Sequence, residues 1–369
     1  MKVRGLLMVT VALIGVATAC TKSEGTRDVI LGVSPTSPPL GARLTAPAVV
    51  SPVSDIQLDS YRPTLVVNNG TSDSAGTRTY EFQISDVSTF ATTVVTKTGV
   101  AEGTGGTTSF TPDADLPGST RFYWRARMAQ SGTVTDFSAT AQFRTKVGGY
   151  NRAGELFDPL IDGTTVGTRT GSTTFQGTRG LQVNDNTSYV RYVLASTLTT
   201  GFISVEVQGL APDRPSEKAR IFSMMDGGSS LFSSNFLFNV QYRGVPGNPN
   251  NAISYKVLMG DPLLKYEPDF GQRSDGVRSL NPNTVYFWQA TWGSSFRLTV
   301  REGGATGTIV YDRTQATPGA YNPTPHTVYL GANDAASESG SYAGAIYRNF
   351  WVGSTARPAA LGSALLPGR

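Results

Sequence analysis

Residues 121–128 read Arg121-Phe122-Tyr123-Trp124-Arg125-Ala126-Arg127-Met128, RFYWRARM, and this stretch decides the fold class. Phe122, Trp124, Ala126 and Met128 alternate with Arg121, Tyr123, Arg125 and Arg127. Successive side chains on a strand point to opposite faces, so this order puts one apolar row inward and one polar row toward water. The stretch is therefore predicted to be a half-buried strand, with Trp124 a core indole rather than a ligand platform.

Moving outward, short β-rich runs of the same kind recur between Leu44 and Lys146: RPTLVVNN, TRTYEFQISD, TTVVTKTG, TTSFTPD and DFSATAQFRTK. Turn clusters of Gly, Pro, Asn, Asp and Ser separate them, and about seven such runs read as a β-sandwich. Composition agrees across the 369 residues, with 41 Gly and 21 Pro among abundant Thr and Ser. These residues disfavour helix interiors or favour strands, which points to an all-β chain. The runs RPTLVVNN, YEFQIS, TFATTVV, LPGSTRFYWRARM and FSATAQFRT, in that order, resemble a fibronectin type III domain. Where that family usually carries its corner tyrosine, this chain has Phe122, which keeps the ring and lacks the hydroxyl. The resemblance implies a spacer or docking module.

From Gly149 to Ser354 a second series follows, including YVRYVL, GFISVEVQGL, KARIFSMM, NFLFNVQYRG, AISYKVLM, TVYFWQATW, FRLTVREGG, HTVYLGA and GAIYRNFWVG. Each run lasts five to nine residues between turn punctuation, which predicts a large antiparallel sandwich. With the opening LFDPLIDGTTVG, the pair FWQATW…FRLTVREGG and the closing GAIYRNFWVG, the region resembles the concanavalin A-like jelly roll of laminin G-like, lectin and glucanase domains. The expected fold is thus an all-β chain with a fibronectin type III-like sandwich over 44–146, a concanavalin A-like jelly roll over 149–354 and a C-terminal tail over 355–369.

At the amino terminus, Lys2 and Arg4 precede the uncharged apolar run Gly5–Ala19 and the single cysteine, Cys20. That layout is a secretory signal, too short to span a bilayer comfortably as a helix. VATAC resembles the end of a bacterial lipoprotein signal, apart from Ala17 where that family usually has Leu. The resemblance implies a signal peptide over 1–19, a lipid on Cys20 and attachment to the outer membrane or cell surface. Thr21 after the cysteine, in place of Asp, favours the outer membrane in that family. Residues 20–43 carry Pro, Ser and Gly without a sustained period and read as a flexible tether. With Cys20 consumed no internal disulfide forms, so buried apolar surface must hold the fold. The formal charge of +4 includes Lys2 and Arg4, and the remaining basic residues are scattered singly, which excludes a phosphate-tracking patch and a nucleic-acid partner.

Catalytic candidates are few. Concanavalin A-like glycosidases use paired carboxylates, and the nearest text is Glu267-Pro268-Asp269-Phe270-Gly271-Gln272. Gln272 stands where an acid is needed and Pro268 removes a ladder donor, so this reads as a surface loop. His326, the only histidine, lies between a proline-bearing turn and a strand with no adjacent nucleophile or carboxylate, and is expected to be structural. One histidine and one consumed cysteine leave no zinc set. Asn184, Asp185, Asn333, Asp334 and Glu338 could offer oxygen to calcium but lack EF-hand-like spacing, and read as Asx turns; no cofactor is expected, with calcium left open.

Binding candidates come from Tyr286–Arg301. Tyr286, Trp288, Ala290 and Trp292 share the more apolar face and are expected in the core, which turns Gln289 outward. If the next strand pairs through Gly293-Ser294-Ser295, Phe296, Leu298 and Val300 face inward while Arg297, Thr299 and Arg301 join Gln289 on a polar face suited to hydroxyls or carboxylates of a glycan. Tyr266, near the tip of a long loop, is the exposed aromatic candidate. The expected function is an exported, lipid-anchored protein binding a polysaccharide or glycoprotein glycan, or a protein partner, through the jelly roll. A surface polysaccharide lyase or glycoside hydrolase and a non-catalytic envelope scaffold are the alternatives.

Overall fold

The RFYWRARM strand spans Arg121–Gln130 and alternates half-buried and buried side chains along its whole length. In the computed structural model its sheet runs Ile56–Gln57, Ala141–Arg144, Arg121–Gln130, Arg78–Ser85, Val95–Ala101, with Thr133–Val134 as a short hairpin partner. The structure describes residues 43–215, 218–225, 236–245, 248–258, 265–266, 273–316, 326–332 and 340–363, and those from 43 onward belong to one compact unit. Cys20, the signal and nearly all of the tether, Glu267–Gln272 and Asn333–Glu338 lie outside the described residues.

Facing that sheet is a three-stranded one, Ala48–Ser51, Leu65–Asn68 and Thr107–Phe110. Between them lie Leu65, Val67, Phe82, Ile84, Phe122, Trp124, Met128 and Phe143. Trp124 is fully buried and donates its indole N–H to the Pro52 carbonyl at 2.8 Å. Phe122 packs against Phe143 at 5.9 Å between ring centroids, an apolar contact that needs no hydroxyl. The outward arginines each find a partner: Arg121 bonds Asp55, Arg125 bonds Gln83 and Arg127 bonds Glu81. The polar row thus forms a cross-strand ladder of the kind that stabilises sheets.

The second sandwich stacks a nine-stranded sheet on a seven-stranded one. The larger is ordered Tyr150–Arg152, Glu155–Asp158, Ile346–Gly353, Gly201–Gln208, Tyr286–Trp292, Ser295–Glu302, Thr308–Ala316, and Leu181–Val183 pairs both with Ile346–Gly353 and with Thr173–Phe175. The smaller is ordered Thr168–Thr170, Tyr189–Val193, Thr327–Gly331, Ala219–Met225, Phe236–Tyr242, Ile253–Leu258, Lys265–Tyr266. Every pairing in both is antiparallel. From Glu155 to Met225 the chain changes sheet repeatedly, the winding of a jelly roll, and only Thr173–Phe175 and Leu181–Val183 pair as sequence neighbours there.

Rings bridge the two layers. Phe238 lies 5.8 Å from Trp292 and 5.1 Å from Phe296, and Tyr192 lies 4.8 Å from Phe350. Trp288 is fully buried and Trp292 only 5 % exposed, so both tryptophans belong to the core, as the alternation requires. Burying large rings at roughly 25 cal/mol per Å² is the main source of stability available to a core without disulfides.

Residues 355–363, beyond the last strand, lie against both sandwiches. Ala360 accepts a bond from the Arg121 amide, and the Gly362 amide bonds Ser119. Leu361 packs with Phe157 and Trp351 on the outer side of the nine-stranded sheet.

Candidate functional site

The hairpin between Tyr286–Trp292 and Ser295–Glu302 turns through Gly293, whose φ of +155° suits a residue without a side chain. Its register puts Thr291 opposite Arg297, Gln289 opposite Thr299 and Phe287 opposite Arg301. The strands on either side extend these rows. Phe202 faces Thr291, Ser204 faces Gln289 and Glu206 faces Phe287, while Asp312 faces Thr299. Gln289, Arg297 and Arg301 therefore share the outer face of the nine-stranded sheet.

Gln289 and Arg297 also line one cavity of about 360 Å³, with Phe202, Thr291, Thr299 and Ser354 around them. The Gln289 side chain is half-buried, and no hydrogen bond to its amide is present among the described residues. A planar amide offers a carbonyl acceptor and two N–H donors, the set that matches vicinal hydroxyls. Next to it the Ser204 hydroxyl is buried without a partner. Trp292 contributes its edge, because its N–H is spent on the Leu198 carbonyl at 3.1 Å.

Arg297 is not a free cation. Its Nε and Nη2 form a two-pronged bond to the Asp312 carboxylate at 2.8 and 2.6 Å, and Thr299 also donates to Asp312. The Arg297 bond holds the Asp312 carboxyl below its ordinary range against the opposing effect of burial, with a further contribution from Thr299. The same bond raises Arg297. Arg301 lies outside the cavity, and its Nη1 donates to the Gly307 carbonyl at 3.2 Å. The cavity lining holds no carboxylate, so its own groups offer hydrogen bonds and one aromatic face.

Tyr266 lies elsewhere. Lys265–Tyr266 is the edge strand of the seven-stranded sheet, with Tyr266 opposite Val257, so it belongs to the other layer of the sandwich. His326 is half-buried just before Thr327–Gly331, and its backbone bonds Met225 and Leu194. Asp185 closes an Asx turn, accepting from Thr187 and Ser188.

One set of polar residues escaped the sequence reading. On the seven-stranded sheet, Ser223 faces both Asn239 and Tyr329, and Gln241 faces Ser254, all on the side away from the core. All five are 5 % exposed or less. Gln241 donates to Asn239, whereas the Ser223 hydroxyl has no partner. Register shifts within Ala219–Met225 break the period-two pattern that would have separated these residues from the core.

No protein-family model matches the chain, and no curated protein sequence matches it. Among solved structures, it is similar to a Trypanosoma rangeli sialidase at 9 % identity and a TM-score of 0.35, over 66 % of this chain and 42 % of that one. The exoplasmic/lumenal domain of VIP36 in its metal-free form gives 10 % identity and a TM-score of 0.35 over 57 % of this chain and 95 % of that one. The β-agarase B from Zobellia galactanivorans gives 11 % identity and 0.27 over 55 % and 76 %. The chain thus spans less than half the length of the sialidase. At these scores the likenesses carry no argument; the all-β sandwich stands on the strands and cores described above.

Proposed function

We propose that this chain is an exported, lipid-anchored surface protein whose jelly roll binds carbohydrate in the cavity beside Gln289, with the first sandwich, fibronectin type III-like in its runs, as the spacer. The observation that carries the binding reading is the Gln289 amide. It is half-buried, without a hydrogen-bond partner among the described residues, and set among hydroxyls and the Phe202 ring in a cavity of about 360 Å³. Sugars are held by that combination of an apolar face and planar hydrogen-bonding groups. Arg297, paired with Asp312, adds guanidinium N–H donors at the edge of the cavity, which suit hydroxyls of a glycan.

The test is retention of the full chain on an oligosaccharide array, followed by calorimetry with any retained glycan. Gln289→Ala should weaken that binding by about tenfold or more without changing the unfolding midpoint. Equal affinity of the variant, or no retention of any glycan by the folded chain, overturns the reading. Release of shortened or unsaturated products would favour the lyase or hydrolase alternative. The anchor is tested separately, by mass spectrometry of the amino-terminal peptide from membranes; an unmodified Cys20 in an uncleaved chain overturns it.

A further inference from the structure

Where the two sandwiches meet, two carboxylates are each bracketed by two arginines. In the first sandwich, Asp55 accepts bonds from Arg121, through Nε and Nη2 at 2.9 Å each, and from Arg144. In the second, Glu206 accepts from Arg348 at 2.8 Å and from Arg357 at 3.0 Å. Arg121, Arg144, Arg348 and Arg357 all line a single cleft of about 730 Å³, with Glu206 and Ser363.

Charge counting gives the consequence. Among the described residues each cluster holds two guanidinium groups and one carboxylate, so the described side chains of each wall carry an excess of one positive charge. Two walls of like charge brought to one cleft repel, and the repulsion is screened less in a partly buried cleft than on an open surface. Groups remain that could answer an anion. Arg348 bonds Glu206 only through Nε in the described contacts, and the Ser363 hydroxyl is buried with no partner. Guanidinium forks match oxyanions in shape as well as charge.

We propose that the cleft between the sandwiches binds an oxyanion, a carboxylate, sulfate or phosphate group, bridging Arg121 on one wall and Arg348 on the other. The site is separate from the cavity beside Gln289, which shares no lining residue with it. A bound oxyanion neutralises the excess charge and ties the two sandwiches together. A free inorganic anion and an acidic oligosaccharide offer the same group, so the probes must separate them.

The experiment is calorimetric titration of the full chain with sodium sulfate and, in a second arm, with oligogalacturonate, each against sodium chloride at matched ionic strength. Sulfate should bind and raise the unfolding midpoint, and added chloride should weaken it. Tighter binding of oligogalacturonate than of sulfate, weakened by R348Q, identifies the acidic glycan as the source at this cleft; equal or weaker binding, or tight binding that R348Q leaves unchanged, identifies the free anion. Arg121 and Arg348 are the more exposed member of each pair, at 31 % and 25 %, so R121Q and R348Q leave each carboxylate one partner. Each should weaken sulfate by roughly tenfold or more, the loss expected when a charge-assisted donor is removed. Thr306 is exposed at the cleft, and T306E provides a variant that removes no packing; it should weaken sulfate by repulsion. Absence of sulfate binding beyond the chloride control, or binding unchanged in both R348Q and T306E, overturns the proposal. Neither outcome bears on Gln289→Ala, so the two sites fail independently.

Discussion

Arg357 reaches back across the outer face of the nine-stranded sheet to Glu206, with Nη2 donating to Oε1 at 3.0 Å. The guanidinium also bonds the Asn349 carbonyl and lies 5.5 Å from the Phe287 ring. A residue outside the last strand is thereby tied to a central one. Glu206 and Arg357 are each about nine-tenths buried, so removing one leaves the other's charge without compensation. Glu206→Gln is expected to destabilise the chain by about 3–5 kcal/mol, read from urea unfolding; a loss under about 1 kcal/mol would mean the pair is screened like a surface bridge.

The same group sets an acid limb. Burial raises the Glu206 carboxyl, but Arg357 and Arg348 lower it more, and the net position is below the ordinary value. A carboxylate lowered by folding stabilises above its unfolded pKa, and that stability is lost as pH falls through the folded pKa. Unfolding free energy should therefore drop below about pH 4.5, and Glu206→Gln should flatten that part of the curve.

Asp158 carries the opposite sign. Burial pushes its carboxyl up to about 6, against bonds from Thr165, Tyr192 and the Val166 and Leu160 amides that pull it down. Between the unfolded value of 3.8 and the folded value near 6 the native state keeps a proton that the unfolded state has released. Stability from this group is therefore full below about pH 4, falls as pH rises to about 6 and is level beyond it, a difference on the order of 3 kcal/mol. Asp158→Asn should remove that slope in chemical denaturation from pH 4 to 7; an unchanged slope would show that Asp158 ionises as it does in water.

Trp124 links the sequence pattern to a measurable core. Its ring stacks near Phe82 at 6.4 Å and its N–H bonds the Pro52 carbonyl. Trp124→Ala is expected to lose about 3–5 kcal/mol by leaving a cavity. Trp124→Phe keeps most of the apolar area and removes the bond to Pro52, for a loss of about 1–3 kcal/mol. No loss in Trp124→Phe by thermal melts would mean the hydrogen bond contributes nothing, and equal losses in the two variants would mean the lost apolar area adds nothing to it.

How much of this was legible follows from period. Arg121–Gln130 alternates without interruption and Tyr286–Trp292 does so apart from the buried Phe287, so the buried identities of Trp124, Trp288 and Trp292 and the outward Gln289 could be read directly. The turn Gly293-Ser294 is short enough to fix a hairpin register, which placed Arg297 and Arg301 on the face of Gln289. That Tyr266 lies on the other sheet could not be read, because which sheet a strand joins is decided by jelly-roll winding, a non-local property with no trace in spacing. The Arg357 bond to Glu206 was hidden because it ties a segment beyond the last strand to a central one, and the Asp312 bond to Arg297 because Thr308–Ala316 was not registered against Ser295–Glu302. Each joins strands or segments whose pairing had not been assigned. The Ser223 and Asn239 face was masked by bulges, since one extra residue reverses the parity on which the reading depends.

Asp312 now becomes the informative substitution for the cavity. It neutralises Arg297 through a two-pronged bond that is partly exposed, so its contribution to stability falls in the range of about 0.2–1 kcal/mol typical of such pairs. Asp312→Asn keeps the side chain's shape and a hydrogen-bond acceptor, while leaving the Arg297 charge uncompensated beside Gln289. If that guanidinium faces a carboxylate of the ligand, affinity for an acidic glycan should rise several-fold and its salt dependence should steepen, while a neutral glycan of the same length should bind as before. Calorimetry with the two glycans at low and high salt makes the comparison. An equal change for both would mean that Asp312 acts by shaping the cavity, and a fall for the acidic glycan would mean that Arg297 works only when Asp312 holds it in place.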